Sequence, residues 1–274
     1  MSDILTTDTE DGLGDDGDTV LRLHEALLRH VVSLYRQPRG QSPEHVGTAL
    51  LLRAHGCDFL VSAAHVLSDP SALFLYSETS TKRRLNGTLT RTKPLDGDKS
   101  DRVDLATLML QPPGLPPYPD VDKEGGDADQ LMGRESPFLE DDFFLVTGMP
   151  ASRSKANPHT YQIKVEAFSL LSSRAPASTY EALRLSENLH LALVLDRTKS
   201  VNLDGSARVF PDPHGMSGSP VWRLPSEKNG LHLPQLVGIL TEFHRAEKVL
   251  IATRVRQVAR QMAGLIAERH RGAQ

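Results

Sequence analysis

The sequence is poor in cysteine and tryptophan, with one of each, Cys57 and Trp222, and it has no excess of basic charge. One cysteine excludes an intramolecular disulfide and any zinc site built on cysteines, so an oxidising compartment is not required. A net charge of −4 and a pI near 6.3 remove the electropositive footprint of a nucleic-acid binder, and no nucleic-acid partner is expected. No stretch approaches the roughly 18 consecutive apolar residues of a membrane span. The first residues, "MSDILTTDTEDGLGDDGDT", lack the basic start and apolar run of a secretory signal. Residues 1–18 are expected to form an acidic, disordered tail, the location to be cytoplasmic, and no cofactor or metal is expected.

Turn formers, by contrast, are plentiful: the 274 residues include 18 prolines and 20 glycines. Short apolar runs separated by Gly, Pro, Asn and Asp indicate an all-β protein. Asp18 is placed to cap a helix over "TVLRLHEALLRH", where Val20, Leu23, Leu27 and Val31 recur at helical steps. "VVSLYRQ", "HVGTALLLRA", "CDFLVSAAHVL", "SALFLYS", "KRRLNGTLTRT" and "VDLATLML" then read as successive strands, so residues 19–112 form a helix and a first β-lobe. Residues 113–136, rich in Pro, Gly and acidic side chains, read as a linker. A second lobe, 137–253, repeats the style with "DFFLVTGMP", "TYQIKVEAFSLLS", "LHLALVLD", "LPQLVGILTEFH" and "KVLIATRV". Thr253 is placed to cap a terminal amphipathic helix over 254–274, with Val255, Val258, Met262 and Leu265 on its apolar side and arginines opposite.

"PHGMSGSPVW" sets Ser217 between glycines just before an apolar run. A serine hydroxyl is too weak an acid to attack a carbonyl unaided, so a nucleophilic Ser217 needs a base. His65 stands at the end of the apolar run "FLVSAAHVL". An imidazole base in turn needs an acceptor for its other nitrogen. Asp104 opens the strand "DLATLML", where a carboxylate is costly to bury unless paired; Asp101, in the charged turn "DGDKSDR", reads more simply as a solvated surface group.

In order and in local pattern, "SAAHVL", "DLATLML" and "GMSGSPVW" resemble the histidine, aspartate and serine blocks of the trypsin/chymotrypsin-like serine peptidases, in the branch that lacks disulfides and similar to an HtrA/DegP-type protease domain without a PDZ domain. "FFLVTGMP" and "LVGIL" are similar to supporting strands of the second lobe, and the likeness runs from about Val31 to Val255. It implies two six-stranded antiparallel β-barrels, a triad of His65, Asp104 and Ser217, and an oxyanion hole formed by the N–H groups of Gly215 and Ser217. Glycine at 215 permits unusual backbone angles. Substrate contacts are expected from Pro211, Asp212 and His214 and from Thr241 and Phe243, in a strand that pairs with the substrate backbone.

Met216 departs from the aspartate that trypsins use in activation, and Pro211 from the aspartate that selects basic side chains. The resemblance implies a serine endopeptidase that cleaves protein or peptide substrates through an acyl-enzyme intermediate, with regulation inside the cell by a protein partner or a conformational switch expected. The alternative is a protease-fold binding or signalling module that is idle or only conditionally active.

Overall fold

The computed structural model describes residues 23, 25–39, 41–76, 82–94, 101–110, 125–134, 136–156, 163–198, 200–201, 209–226 and 228–272. They form a mostly β structure of two curled antiparallel sheets and a C-terminal helix. The first sheet uses β1 (Val31–Arg36), β2 (Glu44–Ala54), β3 (Cys57–Ala63), β4 (Leu73–Tyr76), β5 (Lys82–Arg84), β6 (Gly87–Arg91), β7 (Leu105–Leu110) and β8 (Gly126–Asp127). Its order is β5-β4-β1-β2-β3-β7-β6, with β8 lying parallel to β2. After β9 (Phe143–Gly148) come a small hairpin of β10 (Ser154–Ala156) and β11 (Ile163–Val165), then β12 (Phe168–Ser173), β13 (His190–Val194), β14 (Ser200–Val201), β15 (Pro220–Arg223), β16 (Gln235–His244) and β17 (Val249–Arg254). The second sheet runs β13-β17-β16-β15-β9-β12-β14.

Apolar runs such as "ALLL" and "LATLML" are continuous because both faces of their strands are buried, and alternate residues serve different cores. Ala49 and Leu51 of β2 join Leu34, Leu60, Val66 and Leu108 inside the first sheet. Leu50 and Leu52 face the other way, into a shared core with Leu145, Trp222, Leu236 and Ile239 of the second sheet and Val255, Val258, Met262 and Leu265 of the terminal helix. The second sheet has its own interior, including Phe144, Phe168, Leu191, Phe210, Met216 and Leu240.

Several expectations change. Among the described residues the sheets hold eight and seven strands, where six each were expected. One reason is that "KRRLNGTLTRT" divides into β5, which pairs β4, and β6, which pairs β7. The expected linker contains β8 and a helix at Ala128–Met132, docked by the buried Ala128. Thr253 does not cap the terminal helix, Val255–Gly272: it lies in β17 and gives its hydroxyl to the Val103 carbonyl. The first helix is described only around residues 23 and 25–28, and residues 1–18 lie outside the described residues. The short helix at Ala177–Ala182 was not anticipated.

The end of the linker is anchored by a buried ion pair. Arg223 Nη2 lies 2.6 Å from Asp142 Oδ2, and both side chains are buried. Arg223 also donates to Ser136 Oγ and the Pro137 carbonyl, while Asp142 accepts from Leu139 N–H and Asn229 Nδ2. Removing one partner strands a charge in a low-dielectric interior, at a cost of about 3–5 kcal/mol. Asp142→Ala is therefore expected to lower the urea midpoint by that free energy divided by an unchanged m-value, whereas Asp141→Ala, whose Lys228 ion pair is exposed, is expected to leave the midpoint nearly where it is.

Candidate active site

His65 sits in the turn that follows β3, and Asp104 immediately precedes β7, the strand paired with β3. That pairing brings the two side chains together. Asp104 Oδ2 lies 2.5 Å from His65 Nδ1, and its Oδ1 accepts the His65 backbone N–H at 2.9 Å. One carboxylate thus clamps both the ring and the main chain of the histidine, and the Asp104 carbonyl accepts the Ala64 N–H. With Nδ1 donating, Nε2 is left as the acceptor, the tautomer a base requires. Asp104 has φ 44°, in the left-handed region that Asp tolerates better than most residues. The loop leading to it is held by the second sheet: Thr253 donates to the Val103 carbonyl and His190 Nε2 to the Arg102 carbonyl at 3.0 Å.

Asp101 is not simply a solvated group. It accepts from Thr92 Oγ1 and from Val103 N–H and so shapes the turn that presents Asp104.

Ser217 belongs to the loop between Val209 and β15, in the second sheet, yet its backbone rests on the first. Its carbonyl accepts the Thr48 N–H at 2.9 Å. A Cβ on Gly47 would lie 2.7 Å from Val66 Cγ1 and 3.1 Å from the Ser217 oxygen. The residue after His65 and the main chain of Ser217 are therefore separated by the width of one glycine. Among the described residues no hydrogen bond joins Ser217 Oγ to His65.

The N–H groups of the loop divide sharply. His214 donates to Asp212 Oδ1, Met216 to the Pro213 carbonyl, Gly218 to the Leu240 carbonyl and Ser219 to the Met216 carbonyl. Those of Gly215 and Ser217 have no acceptor among the described residues. The His214 carbonyl is held by Ala151 N–H at 2.8 Å. Because C=O and N–H point oppositely across a trans peptide, the Gly215 N–H is turned away from Ala151. Gly215 has φ +86° and a Cβ there would meet Ala151 N at 2.7 Å, so both its backbone angle and its surroundings demand glycine.

Beyond Ser217, Pro211 is buried, and Asp212 pairs with Arg245 at 2.9 Å. His214 is exposed. Thr241 is buried at a bulge in the β16–β17 pairing, its hydroxyl on the Ile251 carbonyl at 3.2 Å. Phe243 is half-buried against the second sheet's core, beneath the Arg245 guanidinium. Arg245 and Thr48 were missed in the sequence. Nothing marks Thr48 within "VGTALLL", and nothing in the sequence around Arg245, in the turn after β16, points to Asp212.

Under this loop lies His45. It is 8% exposed, its ring is edge-on to Tyr35 at 5.4 Å, and neither ring nitrogen has a hydrogen-bond partner among the described residues. Gly215 is directly above: a Cβ on it would approach His45 Nδ1 to 2.8 Å. Burial, reinforced by the nearby His214, lowers the His45 pKa to about 4.

Among the described residues, no group of three or more His, Cys, Asp or Glu is gathered to hold a metal ion, and no helix is long and apolar enough to cross a membrane. No protein-family model matches the chain, and no curated protein matches it.

Because His45 binds its proton more weakly folded than unfolded, the unfolded chain holds more protons between pH 6.5 and 4, and stability rises with pH across that window. The His45 contribution is complete above about pH 6.5 and falls by on the order of 3 kcal/mol as pH drops through 4. Chemical denaturation at stepped pH is expected to show this slope in the wild type and a shallower one in His45→Phe.

Proposed function

We propose that the protein is a serine endopeptidase of the trypsin/chymotrypsin-like type, its two sheets corresponding to the two barrels of that fold. The observation that carries this reading is the coincidence of two things in one small region: a histidine clamped by an aspartate, and a loop whose open N–H groups are those of Gly215 and Ser217. A structural turn has no need of unpaired donors on both sides of Met216. A carbonyl that becomes an oxyanion does.

In the mechanism this supports, a substrate carbonyl lies against Ser217 with its oxygen between those two N–H groups. Ser217 Oγ attacks the carbonyl carbon as its proton passes to His65 Nε2. Asp104 holds the ring and stabilises the imidazolium that forms. The His65 proton then goes to the leaving amine, the C–N bond breaks, and an acyl group remains on Ser217. Water attacks the acyl carbon, giving its proton to His65, and the acid product leaves as Ser217 regains a proton. A Ser217–His65 hydrogen bond absent from the free protein is compatible with this chemistry, since such bonds commonly tighten only around the substrate.

Substrate backbone is taken by β16. β15 pairs it as far as Ile239, and the backbone of Gly218 and Ser219 continues along Leu240. Beyond Leu240 that flank of β16 has no strand partner among the described residues, and an extended peptide adds there by β-augmentation.

Ser217→Ala is expected to lose essentially all cleavage of a peptide library, on the order of a millionfold, and Asp104→Asn roughly ten-thousandfold. A fluorophosphonate is expected to label wild type but not Ser217→Ala, read by intact mass. Equal cleavage by wild type and Ser217→Ala would overturn the proposal.

A further inference from the structure

The open donors at Gly215 and Ser217 are useful only if the loop between them holds its shape. Gly215 is poorly able to hold its own shape, because glycine's torsions are freer than those of any other residue type. The peptide before it is fixed by Ala151 N–H on the His214 carbonyl. The peptide after it is fixed from outside the loop by one side chain. Thr48 Oγ1 donates to the Gly215 carbonyl at 3.0 Å and accepts the Met149 N–H at 3.3 Å.

Thr48 is fully buried, and all its polar groups are engaged, the N–H and the hydroxyl across the gap between sheets and the carbonyl within the first sheet. Its N–H goes to the Ser217 carbonyl, its hydroxyl to the Gly215 carbonyl, and its own carbonyl receives Ser62 Oγ at 2.6 Å. It therefore binds the carbonyl of each residue whose N–H is open. The β-branched side chain has few χ1 options, so the hydroxyl is aimed by the strand that carries it. A Cβ at Gly218 would collide with the Thr48 carbonyl, which shows how closely the loop is pressed onto this residue.

We propose that Thr48 is the positioning residue of the site: its hydroxyl holds the Gly215–Met216 peptide so that the N–H groups of Gly215 and Ser217 face the reacting carbonyl oxygen. This rests on the peptidase reading above. Without the hydroxyl, the Gly215 and Met149 groups lose their shared partner, and the loop gains orientations in which the oxyanion has fewer donors. Thr48 itself never touches substrate, so its loss weakens the transition state and leaves ground-state binding as it was.

The test uses the full chain in three forms, wild type, Thr48→Val and Thr48→Ser, assayed on one peptide substrate with kcat and KM separated. The concentration of folded sites is taken from the circular dichroism unfolding curve at the assay temperature. Thr48→Val, close in shape but without the hydroxyl, is expected to lower kcat per folded site by about 10- to 100-fold, a fraction of what loss of a whole oxyanion donor costs. KM is expected to stay within about twofold and the pH midpoint of kcat to stay in place, because His65 and Asp104 are untouched. Thr48→Ser keeps the hydroxyl and is expected to behave as wild type. Thr48→Val with undiminished kcat, a loss accounted for by unfolded protein, or equal impairment of Thr48→Ser would each overturn the role of Thr48 while the peptidase reading stands. A wild type that neither cleaves nor reacts with a fluorophosphonate overturns both.

Discussion

The site depends on an exchange of hydrogen bonds between the two sheets. Thr48, from the first, holds the backbone of Gly215 and Ser217, which belong to the second. Thr253 and His190, from the second, hold the carbonyls of Val103 and Arg102, just before Asp104 in the first. The apolar core between the sheets supplies most of the adhesion, but hydrophobic burial is non-directional and tolerates sliding. Buried hydrogen bonds do not, since a shift of an ångström or two leaves donors and acceptors unmatched in a low-dielectric interior. Any relative slide of the sheets would break the tethers of both loops together.

Both loops place a residue at positive φ, as several turns elsewhere do: Asp104, where surrounding contacts must over-determine the conformation, and Gly215, where glycine adopts it freely and the contacts select it. At Asp104 the determinants are the two bonds to His65 and the Ala64 N–H on its carbonyl. At Gly215 they are Ala151, Thr48 and the Met216–Pro213 turn. The terminal helix adds support behind the aspartate, where Gln261 donates to the Leu105 carbonyl and accepts from Thr107. Between the two open donors, Met216 is wholly buried in the second sheet's core, so packing seats the middle of the loop while the Asp212–Arg245 pair lies at its exposed edge.

What was legible in the sequence was whatever a local pattern encodes. The strands β1, β2, β3, β4 and β7 fall on the apolar runs, which are longest in β2, β3 and β7 because both faces of those strands fill cores. The meeting of His65 and Asp104 followed from the order of their blocks once adjacent strands carried them. Less legible was anything set by a distant partner. β8 exists through a two-residue parallel pairing with β2, for which an acidic Gly-rich segment has no propensity of its own. Thr253 has the chemistry of a helix cap, but the Val103 carbonyl, far away in sequence, claims its hydroxyl. Thr48 reads as an ordinary β-branched strand former, and its importance lies in what the other sheet sets against it.

The same geometry constrains how an activity of this kind could be governed. Of the pins on the 212–217 loop, Thr48 and Met216 are buried and Ala151 is half-buried, so the two side-chain pins form as the fold forms and offer no handle at the surface. Exposed pieces lie at the rim instead: the Asp212–Arg245 pair, which ties the loop to the far end of β16, with Phe243 beneath the guanidinium. Such a pair in water holds weakly, on the order of 1 kcal/mol or less. Asp212 is further fixed by the His214 N–H, so Arg245 is the more movable partner. A peptide lying along β16 meets that arginine at the strand's end. Control by access to the open flank of β16 is thus easier to reconcile with this architecture than control by assembly of the Gly215 and Ser217 donors.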